Sequence, residues 1–295
     1  MTDNRRCIIM MIAAMAAFTA NDACMKAATA TVPLFQAIFV RGLMTTTVLG
    51  ALAYATGALR FRFGHADGAA IALRTIGEIA ATVSFLLALR QMPLANLSAI
   101  MQSLPLAVTL AAALLFGERV GWRRVTGIVA GVGGVLMIIR PGTEGFDRWS
   151  ILGLVSVCCV VLRDMATRKL SRATPSTTVA FMAAASVAVM AAVVVPFEGW
   201  KPLTLHEFGL VALAAAFLIA GYLTVVSATR AGDVAVVAPF RYTALLFAIV
   251  LGWAMFDTLP DSWTLAGSAI VVLSGVYAFY RERQRARHDA TSAAE

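Results

Sequence analysis

Residues 88–142 read ALRQMPLANLSAIMQSLPLAVTLAAALLFGERVGWRRVTGIVAGVGGVLMIIRPG. Two apolar runs, Leu94–Phe116 and Trp122–Ile139, are parted there by a short break around Glu118 and Arg119. A bilayer core about 30 Å thick takes about 20 apolar residues at roughly 1.5 Å each when the chain is helical. Runs of that size recur throughout: Cys7–Thr29, Pro33–Ala55, Ala69–Leu89, the two above, Ser150–Leu170, Thr177–Pro196, Phe208–Thr229, Val234–Phe256 and Trp263–Tyr280. The expected fold is an all-α integral membrane protein of ten transmembrane helices.

Composition agrees. The 295 residues are 60% hydrophobic and 14% charged, with a mean hydropathy of +0.82; an ordinary soluble domain is roughly 25% charged. The net charge of +8 would suggest nucleic acid in a soluble protein, but its placement points to lipid and excludes a nucleic-acid partner. With the N-terminus in the cytoplasm, the inner loops and tails hold Arg5 and Arg6, Arg60 and Arg62, Arg119, Arg123 and Arg124, Arg168, Lys169 and Arg172, Arg230, and the Arg281–Arg287 tail. The outer loops hold only Arg90, Arg140, Arg148 and Lys201. That is the positive-inside pattern for an even number of spans with both termini cytoplasmic. Trp122, Trp149, Trp200 and Trp263 fall at span ends, where the amphipathic ring anchors at the headgroups. The first run is too long for the apolar core of a signal peptide, and its pattern returns in mid-chain. Cys7, Cys24, Cys158 and Cys159 lie inside spans without C-x-x-C spacing and read as small packing residues.

The chain aligns with itself. Residues 21–40, NDACMKAATATVPLFQAIFV, lie over 163–182, RDMATRKLSRATPSTTVAFM, pairing Asp22 with Asp164, Lys26 with Arg168, Pro33 with Pro175 and Phe39 with Phe181. Residues 88–139 lie over 228–279, pairing Arg90 with Arg230, Phe116 with Phe256 and Gly127 with Gly267. This divides the chain into a first five-helix repeat, 1–143, and a second, 144–295, which ends in a short basic cytoplasmic tail. Five being odd, the second repeat enters the membrane from the opposite side. Inverted repeats are a common plan for secondary transporters that open to each side in turn.

Eight ionisable residues fall within spans: Asp22, Lys26, Arg41, Arg74, Glu78, Arg163, Asp164 and Arg241. A charge at the bilayer centre costs about 2.5–3.5 kcal/mol on insertion scales, so such residues face protein or a watery cavity. Lys26, near the outer end of its helix, is expected to snorkel to the headgroups. Arg41 and Arg241 lie about two turns in, which leaves a cavity role and a structural ion pair both open. Arg74 and Glu78, four apart, share a helix face and are expected to pair; Glu78 or Asp22 could also carry a proton in a coupled cycle. Asn21, Asn96 and Gln102 add hydrogen-bonding groups. The candidate substrate-binding or coupling residues are therefore Asp22, Arg41, Arg74, Glu78, Gln102, Arg163, Asp164, Arg241 and Tyr242. Phe35, Phe39, Tyr222 and Phe240 read first as packing and second as a stacking surface. Gly127, Gly131 and Gly133–Gly134 should let helices approach closely, and Pro105 and Pro239 should interrupt spans four and nine.

No metal-ligand cluster, H-E-x-x-H, G-x-S-x-G or phosphate loop is present in the sequence, so the expectation is a non-enzyme with no cofactor, driven by a solute or ion gradient. A passive channel or lipid scramblase shares the argument from a polar interior. The stretch 88–142, with its proline, its F-G-E and its Gly-rich helix closing on R-P-G, resembles the half-repeat of EamA-type transporters in the drug/metabolite transporter superfamily. The N-D-x-x-x-K of span one and the arginine of span two fit as well, while Phe256–Asp257 replaces the second-half G-E. The resemblance implies ten helices around a central cavity in a bacterial-type inner membrane, and a loop-fixing role for Glu118. It further implies transport of a small polar metabolite, weighted towards uptake of the riboflavin or S-adenosylmethionine kind, with export of amino acids or drugs as the alternative.

Overall fold

The computed structural model describes residues 2–57, 65–117, 121–142, 147–169, 176–231 and 234–292. Glu118, Arg119 and Pro175 lie outside the described residues. The elements are α1 (Thr2–Ala28), α2 (Leu34–Ala55), α3 (His65–Gln91), α4 (Leu94–Met101), α5 (Leu104–Phe116), α6 (Trp122–Ile139), α7 (Trp149–Arg168), α8 (Ser176–Glu198) and α9 (Leu205–Ala231). The short α10 (Val234–Val237), a 3-10 turn (Ala238–Tyr242), α11 (Thr243–Phe256) and α12 (Ser262–Ser292) complete the chain. Among the described residues nine helical spans are long and apolar enough to cross a membrane. The shorter apolar helix Val125–Ile139 stands where the fifth span is expected. With no water in the bilayer to satisfy open backbone groups, a helix is the form in which one segment bonds its own backbone completely.

Spans four and nine are each broken. Proline has no N–H, so Pro105 removes the normal partner of the Met101 carbonyl, and Pro239 does the same to Ala235. The chain answers with tighter turns. Gln102 N bonds Ser98 O and Ala99 O at 3.1 and 3.2 Å, and Ser103 Oγ reaches Ile100 O at 2.7 Å. In the second half the 3-10 turn ends at Tyr242, and Thr243 Oγ1 donates to Phe240 O at 2.6 Å. Gln102–Ser103 and Tyr242–Thr243 are 140 residues apart, the offset of the repeat.

The chain forms two compact units, and each takes segments from both sequence halves. One comprises Met1–Ala16, Pro93–Ser150 and Gly221–Glu295. Within it α6 packs on α12, its equivalent in the repeat, and α4 packs on α11, the equivalent of α5. The α6–α12 contact is made backbone to backbone: a Cβ on Gly134 would stand 2.7 Å from the Gly267 carbonyl oxygen. Of the glycines in span five, Gly134 carries this approach; Gly127 is in ordinary contact and Gly133 faces open space. At the end of this pair Arg140, in the left-handed region at φ 52°, bonds Asp261, whose other oxygen caps α12 at Thr264 N, 2.9 Å.

The other unit comprises Ala17–Met92 and Ile151–Ala220. Here α2 packs along α8, again the same slot of each repeat, with α3 also on α8. A Cβ on Gly42 would lie 3.0 Å from Ala188 Cβ, and Gly50 admits the Phe181 ring. Gly77 lets α3 approach α7 until its missing Cβ would sit 3.0 Å from Cys159 O and Arg163 N. Ser156 Oγ then donates to Ala81 O at 3.2 Å. All four cysteines are free thiols.

Gly134→Val drives a branched side chain into a carbonyl that cannot move aside. It should cost about 1–3 kcal/mol, read as a lowered Tm in detergent, while Gly133→Ala changes stability by less than about 0.5 kcal/mol.

Candidate functional site

Polar groups at membrane depth gather in the α2–α8 unit. The first group joins α1 and α2. Asn21 and Arg41 are both buried, at 3% and 7% exposure, and Arg41 Nη1 donates to Asn21 Oδ1 at 3.1 Å. Asn21 Nδ2 in turn donates to Asp22 Oδ1 at 2.8 Å. The neutral amide therefore stands between a guanidinium and a carboxylate and is satisfied at both ends. Lys26, one turn beyond Asp22, does not snorkel to the headgroups. Its Nζ donates to Leu89 O and Met92 O at 2.8 and 2.9 Å, capping the C-terminal carbonyls of α3.

The second group joins α3 and α7. Arg74 and Glu78 pair at 3.7 Å within α3, and the other Glu78 oxygen faces Arg163 Nη1 at 3.5 Å. Arg163 also holds Asp164 through Nε and Nη2 at 3.0 and 2.9 Å. Charges alternate along the row Arg74, Glu78, Arg163, Asp164, which suits a low-dielectric site where each ion needs an opposite neighbour. The close approach at Gly77 brings Glu78 within reach of α7.

Gln102, Arg241 and Tyr242 belong to the α6–α12 unit and sit at its two helix breaks. Gln102 is buried at the α4 C-cap. Arg241 is exposed inside the apolar span Ala238–Phe256. Tyr242 is buried against α12, where the absent side chain of Gly275 makes room for its hydroxyl. Among the described residues that hydroxyl has no hydrogen-bond partner, nor has the buried Asn96 Oδ1.

A third cluster, not anticipated from the sequence, ties the α1–α2 turn to the α8–α9 connection. α2 has Pro33 at its N-cap and no side-chain cap of its own. Glu198, from the end of α8, supplies one, accepting from Leu34 N at 2.9 Å and Phe35 N at 2.7 Å. The fully buried Gln36 side chain donates to Lys201 O at 2.6 Å and accepts from Lys201 N at 2.9 Å. Glu207 Oε1 takes bonds from Thr31 Oγ1 at 2.7 Å and Lys201 Nζ at 2.9 Å. Its Oε2 takes Thr204 N and Oγ1 at 2.8 and 2.9 Å. The one local signal for this cluster is the proline-headed α2, a helix start without a Ser, Thr, Asp or Asn to close it.

The model of a family described as the EamA-like transporter family matches residues 5–140 and again 147–280. A pseudopaline exporter, CntI, of Pseudomonas aeruginosa (strain UCBPP-PA14) is 25% identical over 90% of this chain and 93% of its own length. A riboflavin transporter of Rhizobium johnstonii is 26% identical over 68% of this chain and 67% of its own. An S-adenosylmethionine uptake transporter of Rickettsia bellii is 22% identical over 65% and 66%. One crystal structure, 23% identical, superposes with a TM-score of 0.63 over 94% of this chain and 98% of that one, which shows the shared fold.

Glu78→Gln leaves Arg74 and Arg163 without the carboxylate between them. It should cost on the order of 3 kcal/mol, seen as a lowered Tm, whereas Asp164→Asn, at a more exposed pair, should cost under about 1 kcal/mol.

Proposed function

We propose that this chain, which belongs to the EamA-like transporter family, is a secondary transporter carrying a small polar organic metabolite across the bacterial inner membrane by alternating access. The two repeats enter from opposite sides, both termini are cytoplasmic, and the cargo is zwitterionic or anionic. The observation that carries the reading is the Arg41–Asn21–Asp22 group, in which Arg41 and Asn21 are buried. It presents a cation, an amide and a carboxylate on two adjacent helices at membrane depth. Such a set matches a solute with an anionic group and neighbouring hydrogen-bonding atoms. The chain has no phosphate-binding loop, so the driving force is a gradient.

Of the two carboxylates weighed for proton coupling, Asp22 fits better. A proton on Glu78 would remove the negative charge that stands between Arg74 and Arg163. Asp22 is held by a neutral amide, with the Arg41 charge one bond further on. Loading Asp22 with a proton frees that positive field for the anionic end of a solute.

Direction rests on different observations. The riboflavin and S-adenosylmethionine transporters among the relatives favour uptake of a vitamin-like or nucleoside-like metabolite. The pseudopaline exporter, matched over 90% of the chain, favours export as the second reading.

The test is flux in proteoliposomes with an imposed pH gradient, using labelled riboflavin, S-adenosylmethionine and amino acids in turn. A saturable, gradient-driven flux of one of them is the expected result. A linear, gradient-indifferent leak would make the protein a channel. For the transported compound, Arg41→Ala should raise KM by about tenfold or more, the loss of one charge-assisted hydrogen bond. Asp22→Asn should flatten the pH dependence, and Glu78→Gln that remains folded should keep it. The reverse pattern would move coupling to Glu78.

A further inference from the structure

A transporter built from inverted halves must part some helices of the two halves and keep others together. The α2–α8 unit shows which stay together. α2 and α3 come from the first half of the chain; α7, α8 and the start of α9 come from the second. Along the α2–α8 interface the contact is tight, with Gly42 against Ala188 and Gly50 against Phe181. At one end Glu198 closes the two leading amides of α2, Gln36 reads both polar atoms of the Lys201 peptide, and Glu207 joins Thr31 to Lys201 and Thr204.

Two of these side chains lie out of water: Gln36 is 0% exposed and Glu207 6%, while Glu198 and Lys201 are exposed. Opening the end would strand a buried amide and a buried carboxylate together. Each carries its own desolvation penalty, which holds the end closed. Farther along the unit, α3 is fastened to α7 by the Gly77 approach, by Ser156 Oγ on Ala81 O, and by Glu78 with Arg163. The helices of the two halves are thus tied at one end and again along their length.

We infer that α2 and α8, with the α1–α2 turn and the start of α9, form a permanent seam that remains closed in both the outward-open and the inward-open state. Gln36, Glu198 and Glu207 are the residues that hold it. The seam serves as the fixed body against which the cycle runs, and it keeps α2, and with it Arg41 five residues beyond Gln36, at one depth and rotation throughout. The inference rests on the alternating-access reading proposed above, and it is independent of which metabolite is carried.

The experiment joins the seam covalently and asks whether the cycle continues. In a background with Cys7, Cys24, Cys158 and Cys159 replaced by alanine, Gly42→Cys and Ala188→Cys place two Cβ atoms about 3 Å apart on the present backbone. A shift of under an ångström reaches the ~3.8 Å of a disulfide. The readout is gradient-driven flux of the compound that the proteoliposome test above identifies. The expected result is a rate within about twofold of the uncrosslinked value after copper-phenanthroline crosslinking of 42 to 188. Loss of flux on crosslinking, restored by reductant, would overturn the seam and leave alternating access standing. A linear, gradient-indifferent flux without the crosslink would sink alternating access, and the seam's role with it.

Hydrogen exchange on the unmodified protein supplies a second readout that needs no engineered disulfide. Peptides covering 29–37 and 198–207 should exchange slowly as single mass envelopes, since the amides of Leu34, Phe35, Lys201 and Thr204 are all held by the clamp. Two-population envelopes on both peptides would mean that the clamp opens cooperatively, and the inference would fail.

Discussion

Everything in this structure answers to the absence of water from the bilayer core. A polar group there has to find its partner within the protein, at a cost of several kcal/mol if it does not. The regular part of each span meets the demand by being helical. The demand then concentrates where helices start, stop or break, and where a charged side chain lies within a span. Those places account for nearly all of the long-range polar contacts described above.

Helix termini show the rule most plainly. α3 ends on carbonyls capped by Lys26 from α1, α2 begins on amides capped by Glu198 from α8, and α12 is capped by Asp261, which also receives Arg140 from the end of α6. In two of these three cases the capping group comes from a residue far away in sequence. Capping and tertiary assembly are then the same event. A helix that borrows its cap is oriented by the lender, so the bonds that satisfy the backbone also fix the register of neighbouring spans. The alternating row Arg74, Glu78, Arg163 and Asp164 does for charges what these caps do for peptide groups.

Glycine provides the complementary means. Where α6 meets α12, where α2 meets α8 and where α3 meets α7, a missing side chain lets the helices approach closely, and at Gly134 even one methyl group would collide with the facing Gly267 carbonyl. In lipid, apolar helices gain little by hiding from their surroundings, so close packing and interhelical polar contacts carry the association. Repeat-equivalent helices pack together in two pairs, α2 with α8 and α6 with α12, while α4 packs on α11, the counterpart of α5.

The membrane class, the ten apolar segments, the broken spans four and nine, and the repeat were legible in the sequence, because they depend on local quantities. Run length, the missing N–H of Pro105 and Pro239, and the offset of Asp22 from Asp164 can all be read along one chain. The Arg74–Glu78 pair was legible for the same reason, since four residues make one helix face. Partnership across helices was not. Lys26 looked like a residue near an interface and turned out to be a cap, because Leu89 and Met92 are its neighbours only after folding. Gln36 and Glu198 looked like ordinary residues of a span and its flank, and nothing local marks them as two sides of a clamp. Which glycine of 127–134 makes the contact was decided by the facing helix, since only Gly134 meets another glycine. The sequence by itself determined what had to be satisfied inside the membrane; the tertiary structure decided by whom, because satisfaction in a medium without water is a matter of which group is within three ångströms.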